Sequence, residues 1–354
     1  MKIKRSAMYR LAPQMKEYDR YTHEWRQYIM YSNKSNLRSK SISTDNLGLR
    51  FNYSAKDDFL SKTIFEENNN KAKSGILIGA STAYGMGASS NETTISSLLS
   101  KKTDTFFYNL GITAFTGFQE VLLHQSLINN LENIDYLVIF SGLNDLYLSN
   151  YVGIYDELLG PYYYSSQFKS GMDSQVLNTK RKIAKFLFSN FLDKETDWVN
   201  ISIKELLNEV KKKKDTYDKD KFTNNSFDYL KNYLKRNLIY WSNLQKIYKT
   251  KIIYILQPFP KWCNKELSNE EREIFNELDQ NNLKIYKSLN SIEDHQVKYT
   301  DLLRSLCLDY NINFIDSNEF LKSVLKKDDW CFIDRSHLTD LGNQYICNLI
   351  KANL

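Results

Sequence analysis

From Gly75 onward the chain alternates short, almost uniformly apolar runs with longer stretches in which apolar residues recur every three or four positions. The short runs read as strands covered on both faces, the longer ones as amphipathic helices. Strands are expected at 75–80, 105–110, 135–141, 251–256 and 311–316, and helices at 91–100, 117–130, 227–245, 269–289, 299–308 and 338–350. Strands alternating with helices predict βαβ units and an α/β fold on a parallel sheet. Right-handed crossovers then gather the strand C-termini along one edge, where ligands of such sheets bind.

Two regions fall outside this rhythm and divide the chain into an N-terminal extension, 1–71, and a main domain, 72–354, with an insert at about 146–250. The extension carries Tyr18, Tyr21, Trp25 and Tyr28 at helical spacing, predicting an amphipathic helix that packs on the body or, in the alternative, meets a protein partner or a membrane surface. The insert is expected to be helical and begins near a Tyr162–Tyr163–Tyr164 cluster. Its Lys211–Lys214 run reads as a solvated helix end.

Composition narrows the options little. The 354 residues carry a net charge of +6, spread along the chain, which does not demand nucleic acid. No apolar run approaches the ~20 residues of a membrane-spanning helix, and Met1-Lys2-Ile3-Lys4-Arg5 lacks the apolar core of a secretory signal. Four cysteines, all in the C-terminal third, have no metal-ligand spacing and read as free buried thiols. These features predict a soluble, cytoplasmic protein without metal or cofactor.

The candidate chemistry sits at the ends of the expected strands. Ser81 follows Ile76-Leu77-Ile78-Gly79, in a loop with Gly85 and Gly87 that leaves its hydroxyl room. A serine is a weak nucleophile until a base takes its proton. Of the four histidines, His23, His124 and His295 read as structural or solvent-exposed, whereas His337 stands three residues after Asp334. In a tight turn that carboxylate folds back on the imidazole Nδ1–H and leaves Nε2 for the serine. Oxyanion donors are expected from the backbone N–H groups of Ser81 and Gly111 and from the Asn144 side-chain amide. Tyr84, Met86, Tyr147, Trp330 and the 162–164 tyrosines are candidates for lining a pocket.

Taken in order, these segments resemble the four blocks of the SGNH hydrolases, the GDSL-type esterases and lipases, with Ser81, Gly111, Asn144 and His337 at the named positions and Asp334 as the acid. Gln119-Glu120, Leu256-Gln257-Pro258 and Leu341-Gly342-Asn343 are similar to secondary features of that family. The resemblance implies a flavodoxin-like three-layer α/β/α fold with five parallel strands and metal-free serine hydrolysis of esters. It departs at Ala80, where the family has aspartate before the nucleophile. N-terminal extensions and segments such as Asn46-Leu47-Gly48-Leu49-Arg50 are similar to members that modify surface polysaccharides, which points to a short-acyl ester, such as an O-acetyl group, on a carbohydrate. Acyl transfer by the same residues, and a catalytically silent binding or scaffold protein, remain the alternatives.

Overall fold

Alternate residues of each central strand feed two separate cores. In the computed structural model, Ile76, Ile78, Phe106, Tyr108, Leu137, Ile139, Ile252 and Tyr254 enter one. Leu77, Phe107, Val138, Phe140, Ile253 and Ile255 enter the other. Burial on both faces is what makes these strands apolar throughout. The structure describes residues 5–21, 23–54, 57–62, 73–131, 134–149, 160, 226–280 and 290–354. Most of the expected insert, with Tyr162, Tyr163, Tyr164 and the Lys211–Lys214 run, lies outside them.

The five main strands are β5 (Lys73–Gly79), β6 (Thr105–Gly111), β7 (Tyr136–Ser141), β8 (Lys251–Leu256) and β9 (Asn313–Asp316). All pair in parallel, in the order β6-β5-β7-β8-β9. This is the flavodoxin-like arrangement, whose switch point lies beside the first strand, here β5. One face is covered by α5 (Gly117–Leu127), α7 (Ser226–Tyr248) and α9 (Gln296–Asp309). The other is covered by α4 (Ile95–Lys102), α8 (Asn269–Gln280), α10 (Ser317–Val324) and α11 (Asp340–Lys351). The result is a three-layer α/β/α sandwich. Short helices α3 (Ser81–Tyr84) and α6 (Leu143–Ser149) grow directly from the ends of β5 and β7. Among the described residues, no helix is long and apolar enough to cross a membrane. All four cysteines are free and buried.

The expected boundaries shift for local reasons. Strand β9 starts two residues late because Asn311 turns with φ +55°. The last helix opens at Asp340 rather than at Leu338. Leu338 forms a bridge with Phe332, and the Thr339 hydroxyl accepts the Gly342 N–H as a helix cap.

The N-terminal aromatic helix does not form. Instead α1 (Ser6–Leu11) and α2 (Met15–Tyr18) are followed by a hairpin of β1 (Glu24–Arg26) and β2 (Met30–Ser32). Tyr28 and Met30 take left-handed φ values of 66° and 70°, which no helix accommodates. Tertiary contacts override the helical spacing. Tyr18 is buried and donates from its hydroxyl to the Gly85 and Ala88 carbonyls, whereas Trp25 and Tyr28 stay exposed. The aromatic residues expected to form one helical stripe, packed on the body or meeting a partner, therefore do not share a single face. A second hairpin, β3 (Asn52–Ser54) with β4 (Asp57–Lys62), follows before β5.

Candidate active site

Two of the four segments, the Ser81 loop and the Asp334–His337 turn, are joined directly by hydrogen bonds. The tight turn before α11 folds Asp334 back so that its Oδ1 accepts the N–H groups of Ser336 (2.8 Å) and His337 (2.9 Å). The same carboxylate meets His337 Nδ1 at 2.7 Å through Oδ2 and 3.0 Å through Oδ1. A carboxylate only accepts, so Nδ1 carries a proton and the neutral ring offers the Nε2 lone pair. Nε2 lies 2.8 Å from Ser81 Oγ. The arrangement can abstract the hydroxyl proton as the oxygen attacks an electrophile. Burial pushes the Asp334 carboxyl upward. The imidazole charge and hydrogen bond, with the two backbone donors, outweigh it and hold the group well below the ordinary carboxylate range.

Several side chains to which the sequence reading gave no role in the site hold this turn and the loop beside it. The Ser336 carbonyl accepts from Thr82 Oγ1 (3.1 Å) and from Gln257 Nε2 (2.9 Å), which ties the acid–base turn to the ends of β5 and β8. Buried Glu271 accepts the Cys331 and Phe332 N–H groups on one oxygen, and the Ser268 N–H and buried Lys265 ammonium on the other. Arg50 is only 1% exposed. Its guanidinium donates to Tyr18 Oη, to Asn91 Oδ1 and to the carbonyls of Ser41, Tyr84, Gly85 and Ser90, which fixes the loop after α3.

Ser81 and His337 lie in a cavity of about 750 Å³. Of the residues singled out from the sequence, Tyr84, Met86, Tyr147 and Asn144 line it, whereas Trp330 and Gly111 do not. The Trp330 indole N–H donates to the Phe332 carbonyl and its ring packs into the core behind the acid–base turn. At Gly111 the sequence expectation needs a second correction. Its N–H donates to Asn109 Oδ1 at 2.9 Å, and a Cβ there would lie 2.1 Å from the Tyr84 nitrogen. Glycine is required at this position for close packing of α3, not to open an N–H to the cavity.

The residues of this loop that line the cavity are Thr113 and Ala114, the latter in the left-handed region at φ +65°. Among the described residues no acceptor meets its N–H. Asn144, on α6, is fixed by donating one amide hydrogen to the Phe115 carbonyl at 2.7 Å. The next residue, Asp145, accepts the Gly117 N–H at 3.0 Å, so α6 and the Ala114 loop are pinned together. Burial raises the Asp145 carboxyl to about 6, opposed by the Gly117 and Tyr233 donors. Burial and the Asp145 charge raise the neighbouring Glu120 to about 8, opposed by the Ser141 hydroxyl.

The remaining cavity wall comes from the N-terminal segment and includes Arg5, Asp19, Tyr21, His23, Asn33 and Lys34. Arg5 is held by Asp19 through two hydrogen bonds of 2.6 and 2.8 Å. His23, read from sequence as structural or solvent-exposed, reaches Thr113 at the cavity edge. Among the described residues, no group of three or more His, Cys, Asp or Glu is placed to hold a metal ion.

No protein-family model and no curated protein matches the sequence. Among solved structures, the chain is similar to an acetyl xylan esterase, at 12% identity over 80% of this chain and 99% of that one, with a TM-score of 0.39. It is also similar to an extracellular lipase from Streptomyces rimosus, at 11% identity over 80% and 100%, TM-score 0.41. A lipase/acylhydrolase from Enterococcus faecalis matches at 12% identity over 79% and 94%, TM-score 0.38.

Proposed function

We propose that the chain is a serine esterase of the SGNH type, cleaving a carboxylic ester through an acyl-enzyme on Ser81. The observation that carries this reading is the unbroken chain of contacts from Asp334 through His337 to Ser81 Oγ, at 2.7 and 2.8 Å, inside a cavity. In the first step Ser81 Oγ bonds to the ester carbon while His337 Nε2 takes its proton. The carbonyl oxygen, now carrying the electron pair, is met by the N–H groups of Ser81 and Ala114 and by the Asn144 amide. The tetrahedral adduct collapses by breaking the bond to the alkoxy oxygen, and His337 returns the proton to the leaving alcohol. Water then attacks the acyl-serine with the same histidine as base, and the acid departs. Ala80 in place of the family aspartate removes no participant in these steps.

For the substrate, the reading is a short-acyl ester, such as an O-acetyl group, on a carbohydrate. The wall supports this: Tyr18, Tyr21, Tyr84 and Tyr147 offer ring surface, interleaved with the polar groups of Asp19, His23 and Asn33. An apolar pocket with a few placed polar groups is the usual way to orient such a ligand.

The test is turnover of p-nitrophenyl acetate and of O-acetylated glycans by the unmodified chain and Ser81→Ala, with labelling of Ser81 by a fluorophosphonate. Turnover and labelling that both vanish in Ser81→Ala support the reading. Equal turnover in the two, at matched folding, refutes it. Acetate released with acceptor glycans present reports hydrolysis, and acylated glycan without acetate reports transfer.

A further inference from the structure

The N-terminal segment grips the loop that carries Ala114, and it does so with side chains rather than by general packing. The Tyr31 hydroxyl donates to the Ala114 carbonyl at 2.5 Å. Asn33 Oδ1 accepts both the Thr113 N–H (3.0 Å) and the Thr113 hydroxyl (2.8 Å), while Asn33 Nδ2 donates to the Gly111 and Gly48 carbonyls. Because the Thr113 hydroxyl hydrogen goes to Asn33, its oxygen must accept from His23 Nε2, 2.6 Å away, so that nitrogen of His23 carries hydrogen. The same Nε2–H also faces the Thr113 carbonyl at 3.2 Å. Burial lowers the pKa of His23, which keeps the ring in that neutral form. The Tyr31 and His23 rings meet edge to face at 5.0 Å and support one another.

Apart from the bond to Gly48, these bonds close on residues 111–114, and they close around an unfavourable backbone. Ala114 sits at φ +65°, a conformation that glycine adopts freely and alanine resists. A non-glycine residue stays there only where its surroundings over-determine it. Here the surroundings are Tyr31 on its own carbonyl, and Asn33 and His23 on the preceding residue. Relaxation of Ala114 toward ordinary φ would reorient its N–H relative to the cavity that Ser81 and Asn144 also line.

We propose that Tyr31, Asn33 and His23 are positioning residues of the active site, and that they hold the Gly111–Ala114 loop so that the Ala114 N–H faces the developing oxyanion. The inference rests on the esterase reading above and makes the N-terminal segment part of the catalytic apparatus rather than an appended extension. None of the three touches the reacting atoms. Their effect belongs to the transition state, since the N–H they place is needed only when charge reaches the carbonyl oxygen.

The experiment is a double-mutant cycle on the full chain between Tyr31→Phe and Ala114→Gly, read as kcat and KM for p-nitrophenyl acetate, with thermal melting and fluorophosphonate labelling of each variant. Removing one oxyanion donor outright costs about 100- to 1,000-fold in kcat, so a displaced donor is expected to cost ~10- to 100-fold. Tyr31→Phe should lower kcat by that factor with KM held within about twofold, as expected for an interaction made only in the transition state. In the Ala114→Gly background, where the left-handed conformation needs no support, the same change should cost less than about threefold. Thr113→Val, which cuts the threonine hydroxyl from both His23 and Asn33 without touching the backbone bond, should lower kcat in the same sense and serves if Tyr31→Phe fails to fold. Equal losses in both backgrounds, or an unchanged kcat in Tyr31→Phe and Thr113→Val, would overturn the proposal while leaving the esterase reading intact. An unmodified chain that neither turns over ester nor labels at Ser81 sinks the esterase reading and this inference with it.

Discussion

Replacing Asp334 by asparagine separates the two jobs this carboxylate performs. Oδ1 collects the Ser336 N–H at 2.8 Å, the His337 N–H at 2.9 Å and the Ser336 hydroxyl at 3.1 Å, whereas Oδ2 faces His337 Nδ1 at 2.7 Å. Asparagine has one accepting oxygen, and the three turn donors retain it at the Oδ1 position. Its NH₂ then faces Nδ1, and a donor there requires the ring lone pair. The imidazole is driven to the other tautomer, with hydrogen on Nε2, 2.8 Å from Ser81 Oγ, where it donates instead of accepting. Loss of the base by the wrong tautomer costs about 10⁴ in kcat in the well-studied serine proteases, equivalent to ~5.5 kcal/mol at 1.4 kcal/mol per tenfold. The turn keeps its donors, so the loss of stability should stay within about 1.5–3 kcal/mol, the worth of a hydrogen bond to a charged group.

Asp334→Ala removes both jobs and should destabilise by ~2–4 kcal/mol through unpaired N–H groups. The two variants are compared by ester turnover and urea unfolding. The carboxyl is held below its ordinary 3.8. Its stabilisation is therefore present above that pH and lost as pH falls further, and the asparagine variant should lack that acid slope. Asp334→Asn retaining more than a tenth of the activity would refute the reasoning.

Three further outcomes follow from the interior. Glu120 is raised from 4.5 to about 8 in the folded chain, so its ionisation should drain stability as pH rises through that window; Glu120→Gln should flatten the slope and add on the order of 2 kcal/mol at pH 8, with little gain at pH 4, in urea melts across pH. Arg50→Met leaves four carbonyls and two side-chain oxygens without their buried donor, and should cost about 3–5 kcal/mol by urea unfolding; a change below about 1 kcal/mol would contradict the network. Gln257→Ala frees the Ser336 carbonyl on one side and should lower kcat by ~10-fold with an unchanged KM, measured on p-nitrophenyl acetate.

Much of the sheet could be read from the chain because burial on both faces leaves a signal within each strand. Ile76–Ile78, Val138–Phe140 and Ile252–Leu256 are apolar without interruption and lie within β5, β7 and β8. Ser81, Asn144, Asp334 and His337 stood out as polar groups at the ends of such runs or in a tight turn, and the fold brings Ser81, Asn144 and His337 to one cavity, with Asp334 behind the imidazole. The cavity's second wall left no such trace. His23 meets Thr113 across 90 positions, Asn33 meets it across 80, and Arg50 meets Tyr84 across 34. Bonds at that range follow from the assembled fold, and the aromatic spacing that looked helical in 18–28 reflects residues sent to different surroundings: Tyr18 inward, Trp25 and Tyr28 to the surface.

The exchange between Gly111 and Ala114 shows why the local pattern misled at the loop after β6. A glycine at a strand end suggests an open N–H, since it has no side chain to block one. The same absence also suits a site where another backbone must pass close by, and that demand prevails at Gly111, with the Tyr84 nitrogen 2.1 Å from where a Cβ would stand. Three residues on, the backbone does need a left-handed turn, and the chain places alanine there. Glycine would take that turn unaided but would also leave it easily. Alanine takes it only under constraint, and the constraint is supplied from residues 23–33. The preference of a residue type for a backbone region therefore locates the cavity loop only when read together with what holds it, which here lies on a distant part of the chain.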